Sequence, residues 1–166
     1  MPFVKGLSDS AVFFPVHDYF ISQLKDADSA ASLFTLQKNI NGIKDSSSIH
    51  ADSAKKWAAV FLETDLDKKE IKKFYKETIF EDLTTASYTF SYKTNSEKLT
   101  IKNVDVLLDK GTQQVKWVFI TRYRQNGDSS ISEKLSWHGN KNFSVNKIIA
   151  MPGKPEYTEQ VSVSWK

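Results

Sequence analysis

Apolar positions change their period once along this chain, near residue 84, and that change divides it in two. Before it they recur at helical spacing. Val16, Tyr19, Phe20 and Leu24 fall on one face behind Pro15, a residue tolerated in a first helical turn. They predict a helix over about 15–26, ended by Asp26-Ala27-Asp28-Ser29. Ala54, Trp57, Ala58, Phe61 and Leu62 predict a second helix that runs to about 64, with Asp52 or Ser53 as its cap. Asp67, with Glu70 three residues on, makes a capping-box-like start for a short third helix carrying Ile71, Phe74 and Tyr75. Between the first two helices, strand-like runs flank Asn41-Gly42. A type I′ turn needs positive φ at both central residues, and Asn-Gly supplies them. The spacing predicts a hairpin over about 33–50, with a weak second arm through Ser46-Ser47-Ser48.

After residue 84 the period is two. Tyr88, Phe90 and Tyr92 open a first strand. Leu99 and Ile101 open a second, whose phase slips before Val104, Val106 and Leu108, so a bulge is expected near Asn103. Val115, Trp117, Phe119 and Tyr123 form a third alternation. Ile131, Leu135 and Trp137 follow, then Phe143, Val145 and Ile149, and Val161, Val163 and Trp165 close the chain. Turn residues at Gly111, Asn126-Gly127-Asp128, Gly139-Asn140 and Met151–Pro155 separate them.

The expected fold class is therefore α+β: two or three helices packed on one face of a long antiparallel β-meander sheet of about six strands, with an additional early hairpin, in a single domain over 1–166. The third alternation has apolar residues on both faces, because Val118 and Ile120 interleave with the aromatics. This predicts a central strand whose second side is covered by a loop, the N-terminal arm or another subunit. A protein partner or self-association over Val118 and Ile120 is the corresponding expectation.

Composition narrows the function classes. The chain carries 23 Lys and Arg against 20 Asp and Glu. Residues 1–82 hold 11 basic and 13 acidic side chains, net −2; residues 83–166 hold 12 and 7, net +5. No basic stripe of the kind a nucleic-acid binder needs is present. There is no cysteine, so disulfides, thiolate chemistry and Cys-based zinc sites are excluded. No apolar run is long enough to span a membrane, and Met1-Pro2-Phe3-Val4-Lys5 does not read as a signal peptide.

Candidate chemistry is sparse. No cofactor, phosphate-loop or paired-carboxylate signature is present, and the three histidines, His17, His50 and His138, have no metal-ligand spacing. Asp65-Leu66-Asp67 fails as a calcium loop, since its sixth position is Glu70 rather than glycine. His17-Asp18 lies on a helix, where neighbours point apart, and no nucleophile elbow exists. The sharpest site candidate is Arg122 with Arg124, the chain's only arginines, two apart on one strand with Lys116 on the same parity. Aligned guanidinium groups grip carboxylate or phosphate. The alternating aromatics offer a stacking platform for sugars or bases, although core packing accounts for them first.

The segments Phe14-Pro15-Val16-His17-Asp18-Tyr19-Phe20-Ile21 and Ser53-Ala54-Lys55-Lys56-Trp57-Ala58-Ala59-Val60-Phe61 resemble exported lipoproteins of Bacteroidetes-type bacteria in the first half of the chain. The resemblance implies a helix, a short hairpin, a helix with a buried tryptophan and a long β region. It implies a periplasmic or outer-membrane-anchored location after processing, where the residues alone would leave a cytoplasmic one. It implies no activity. A non-enzymatic envelope domain with a binding or structural role is the leading expectation. The alternative is a small-molecule binder or enzyme with a cavity between curved sheet and helices, as in cystatin-like or NTF2-like architectures.

Overall fold

A computed structural model describes residues 12–165. Among these residues the chain forms three helices and nine strands: α1 (Val16–Ala30), β1 (Phe34–Ile40), β2 (Ile43–Ile49), α2 (Ala51–Leu62), α3 (Lys69–Lys72), β3 (Lys76–Asp82), β4 (Ser87–Lys93), β5 (Ile101–Asp109), β6 (Val115–Asn126), β7 (Ser129–His138), β8 (Asn142–Ala150) and β9 (Tyr157–Ser164). The α+β class is as the periodicity predicts. All nine strands join one antiparallel open sheet in the order β2-β1-β9-β8-β7-β6-β5-β4-β3.

Three features depart from expectation. The early hairpin is not separate: β1 pairs along its length with β9 and extends the meander. The strand β3 is additional, and the chain has seven meander strands instead of six. The middle of the sheet is β7, one strand away from the expected 115–124 segment.

The helix ends also differ. α1 runs through Asp26–Ser29 because Ala27 buries itself completely in the interface. The N-cap of α2 is His50, without a side-chain cap bond, and that of α3 is Lys68. Asp67 instead accepts from the Phe13 amide at 3.3 Å and pairs with Lys72 at 2.8 Å.

Local chemistry accounts for the register. Asn41 (φ 51°) and Gly42 (φ 86°) both adopt the left-handed conformation that the two-residue hairpin demands. The expected bulge is present: Ile101 faces Arg122 while Asn103 faces Thr121, leaving Lys102 as the extra residue. That slip lets both Ile101 and Val104 reach the core in spite of their odd spacing. A second slip at the other end of the same pair makes Lys116 the extra residue on β6.

The helices cover the face carrying Val118, Ile120, Leu135 and Trp137, each at most 2% exposed. Phe20 of α1 and Phe61 of α2 sit on Trp137, with centroids 5.1 and 5.0 Å away, and Phe61 meets Phe143 at 5.4 Å. These four rings occupy the space between helices and sheet. Burying a side chain of this size contributes about 1.5–3 kcal/mol before ordering costs.

The assignment of faces on β6 is therefore the reverse of the aromatic-in expectation. Val118 and Ile120 point into the chain's own core, so what covers them is α1 and α2, not a partner. Trp117, Phe119 and Tyr123 point to the opposite side, with Phe119 40% and Tyr123 39% exposed.

Candidate functional site: the outer face of the sheet

The face opposite the helices is built by cross-strand register. Core positions on β7 are Leu135 and Trp137, so Ser136 and His138 point outward. Ser136 stands opposite Ser144 of β8, Ser144 opposite Ser162 of β9, Ser162 opposite Gln37 of β1, and Gln37 opposite Ser46 of β2. One row of mostly small hydroxyl side chains thus crosses five strands. The neighbouring row is longer in reach: Lys134, Asn146, Gln160, Asn39 and Lys44. Short side chains beside long ones make a trough.

Its wide part, over β1, β2, β8 and β9, is an open depression of about 530 Å³. A second depression of about 330 Å³ shares Asn146 with it and reaches Phe119 across Ser136. The floor is held in place by its own bonds: the Ser136 and Ser144 hydroxyls lie 2.6 Å apart.

The trough ends at an aromatic group on β6. Phe119 is the residue opposite Ser136. Its ring is nearly parallel to that of Trp117, at 10° and 5.3 Å. Trp117 in turn stacks on His138, directly across the strand pair, at 7° and 4.1 Å. Partial burial, and then the nearby Lys141 cation, hold the His138 imidazole below its ordinary pKa. The stacked triplet is a rigid wall of rings with Phe119 as its most exposed member.

Between the aromatic wall and the hairpin the surface is uncharged. Ser136, Ser144, Asn146, Gln160, Ser162 and Gln37 carry no formal charge, and Lys134 and Lys44 stand at the two ends of the longer row. Lys38 and Asp45 also line the depression, opposite each other on the alternate parity, with the Lys38 ammonium turned to Trp57 of α2. Set beside known proteins, the chain matches no family model, no curated protein and no solved structure. The chemistry of this face must therefore be read from its own residues.

The arginine pair lies on the other side of the sheet. Arg122 shares the helix-covered face with Val118 and Ile120, and its side chain is 7% exposed. Its Nη1 donates to Glu63 Oε2 of α2 and lies 3.4 Å from the Val60 carbonyl oxygen, while its Nε lies 3.4 Å from Glu133 Oε1. Arg124 is half exposed, 3.6 Å from the same Glu133 oxygen. The carboxylate between the two guanidinium groups is the chain's own Glu133, itself 5% exposed. Lys116, displaced by the bulge at the far end of β6, pairs with Asp109 at 3.5 Å. The strand brings Arg122 and Arg124 to one buried carboxylate and leaves Lys116 apart from both.

The remaining titratable groups form no reactive set. Among the described residues no three of His, Asp and Glu converge as a metal cluster. His17 lies 3.9 Å from an exposed Asp18. The Tyr92 hydroxyl accepts from the Phe14 amide at 2.7 Å and donates to the buried Glu77 at 2.8 Å, and burial raises that phenol's pKa. The Tyr75 hydroxyl, pushed up to about 12 by burial, donates to the Ile101 carbonyl oxygen at 2.6 Å. These contacts tie β3 to β4, and the residue that precedes β3 to β5.

Proposed function

We propose that this protein is a non-catalytic binding domain that works through the outer face of its sheet. The observation that carries the reading is the uncharged trough of aligned serines and amides that ends at the stacked Phe119, Trp117 and His138 rings. An enzyme of this size concentrates perturbed acids and bases in a concave site. Here the buried Tyr75 and Tyr92 hydroxyls serve as structural ties, and aromatic rings pack the space between helices and sheet. A cell-envelope location belongs to the proposal as well. It rests on the resemblance of the first half of the chain to exported lipoproteins.

The non-catalytic part is tested by incubating purified protein with chromogenic esters, phosphate esters and glycosides. No turnover above buffer is expected. Turnover that survives repurification overturns the reading. The location is tested by fractionating the source cells, where the protein is expected with the envelope and its recovery in the cytosol contradicts the proposal.

A further inference from the structure

We infer that the ligand of the outer face is a neutral glycan chain, laid across the strands with one sugar against Phe119. The inference rests on the outer face being the binding surface.

Hydrogen-bonding capacity is the first argument. The Ser hydroxyls and the Asn and Gln amides of the trough each both donate and accept. Sugar hydroxyls also do both, so the two surfaces match without any charge. An anionic polymer needs fixed cations along its length. The floor from Ser136 to Gln37 offers none: Lys134 and Lys44 stand at opposite ends of the longer row. The other charged residues lining the depression, Lys38 and Asp45, stand opposite each other on the alternate parity, with the Lys38 ammonium 4.9 Å over the Trp57 ring on the helix side. A folded protein partner is a poor match too, because the centre of such an interface is apolar and aromatic. The centre here is Ser144 and Ser162.

Shape is the second argument. The row runs from Phe119 on β6 to Ser46 on β2, five strand spacings, or about 24 Å. That suits an extended chain better than a single small molecule, which is normally enclosed on most sides. The aromatic terminus is the third. The apolar C–H face of a pyranose stacks on an exposed ring, and Phe119 is held upright and 40% exposed by its stack on Trp117.

The test is native affinity electrophoresis in gels containing hydroxyethylcellulose, xyloglucan, galactomannan or dextran, with alginate as the acidic counterpart. The proteins compared are the unmodified chain, Phe119→Ala and Ser144→Arg, each checked for an unchanged melting temperature. At least one neutral polymer is expected to retard the unmodified chain. Phe119→Ala should weaken that retardation about tenfold, the loss of one stacked ring, and Ser144→Arg should abolish it. Absence of retardation by every neutral polymer overturns the inference. Retardation by alginate alone, strengthened in Ser144→Arg, overturns the glycan as neutral while leaving the outer face as the binding surface. Retardation by a neutral polymer that both variants preserve overturns the surface itself.

Discussion

The indole Nε1–H of Trp137, at the centre of the sheet, donates to the side-chain oxygen of Gln23 on α1 at 3.1 Å. That oxygen also accepts from the Asn140 backbone amide at 2.8 Å, and the Gln23 amide nitrogen donates to the Asn140 side-chain oxygen at 3.0 Å. One buried amide thus fixes α1 against the β7–β8 turn and satisfies the only polar atom of the core's largest ring.

Replacing Gln23 therefore has a cost beyond its own burial. Gln23→Leu orphans the Trp137 and Asn140 donors and is expected to destabilise by about 2–4 kcal/mol. Adding Trp137→Phe, which removes one orphan, should return part of that loss relative to the sum of the single changes. Urea melts of the three variants check this. Strict additivity would count against the bond.

The same turn depends on a close approach. A Cβ on Gly139 would lie 2.6 Å from the Val115 carbonyl oxygen and 3.1 Å from the Tyr19 hydroxyl. Gly139→Ala should destabilise by about 1–3 kcal/mol through overpacking. Gly153, at φ 72° with open space around its Cβ, should lose only about 1 kcal/mol as alanine. Thermal melts that rank the two the other way contradict the account.

The Arg122 cluster predicts a different signature. Arg122→Leu leaves Glu133 buried without its closest cation and should cost about 3–5 kcal/mol. Arg122→Leu with Glu133→Leu should recover at least half of it, since both charges then leave the interior. Chemical denaturation measures both. A double variant as unstable as the sum of its parts would show that the pair is not coupled.

His138 sets the pH dependence of the aromatic wall. Its folded pKa is depressed, so the folded state holds fewer protons there than the unfolded chain does. Stability from this group is present above its unfolded value, about 6.5, and is lost as pH falls through the folded value below it. Proton NMR titration of the imidazole should give a midpoint below that of a model peptide. A midpoint above it would mean that attraction of imidazolium to the Trp117 face outweighs desolvation.

Much of the fold was legible in the chain. Asn41-Gly42 specified a turn by its backbone demands alone, and the odd spacing of Ile101 and Val104 required a bulge. β3 was not legible, because one of its inward positions is Glu77, whose carboxylate is satisfied by the Tyr92 hydroxyl from the next strand. Alternation counted by hydrophobicity cannot register a buried acid.

The face of β6 was misread for a related reason. Both of its parities are apolar, and size favoured the aromatics. The deciding signal was in β7: Val118 pairs with Trp137 and Ile120 with Leu135, whereas Trp117 and Phe119 pair with His138 and Ser136. Once β7 fixes its own inward face, β6 has no freedom left. The trough was invisible for a further reason. Ser136, Ser144 and Ser162 each read as ordinary wet-face residues, and only strand register aligns them into one row.

The most direct test of the outer face as the binding surface uses the chain's own tryptophans. The indole N–H resonances of Trp117 and Trp137, assigned through Trp→Phe variants, are followed by ¹⁵N NMR as fragments of the retarding neutral polysaccharide are added. Trp117 stands on the outer face beside Phe119, and Trp137 is sealed in the core against Gln23. The account predicts that the Trp117 signal moves and saturates while the Trp137 signal stays in place. Movement of Trp137 with Trp117 unmoved would place the ligand on the helix side and contradict it.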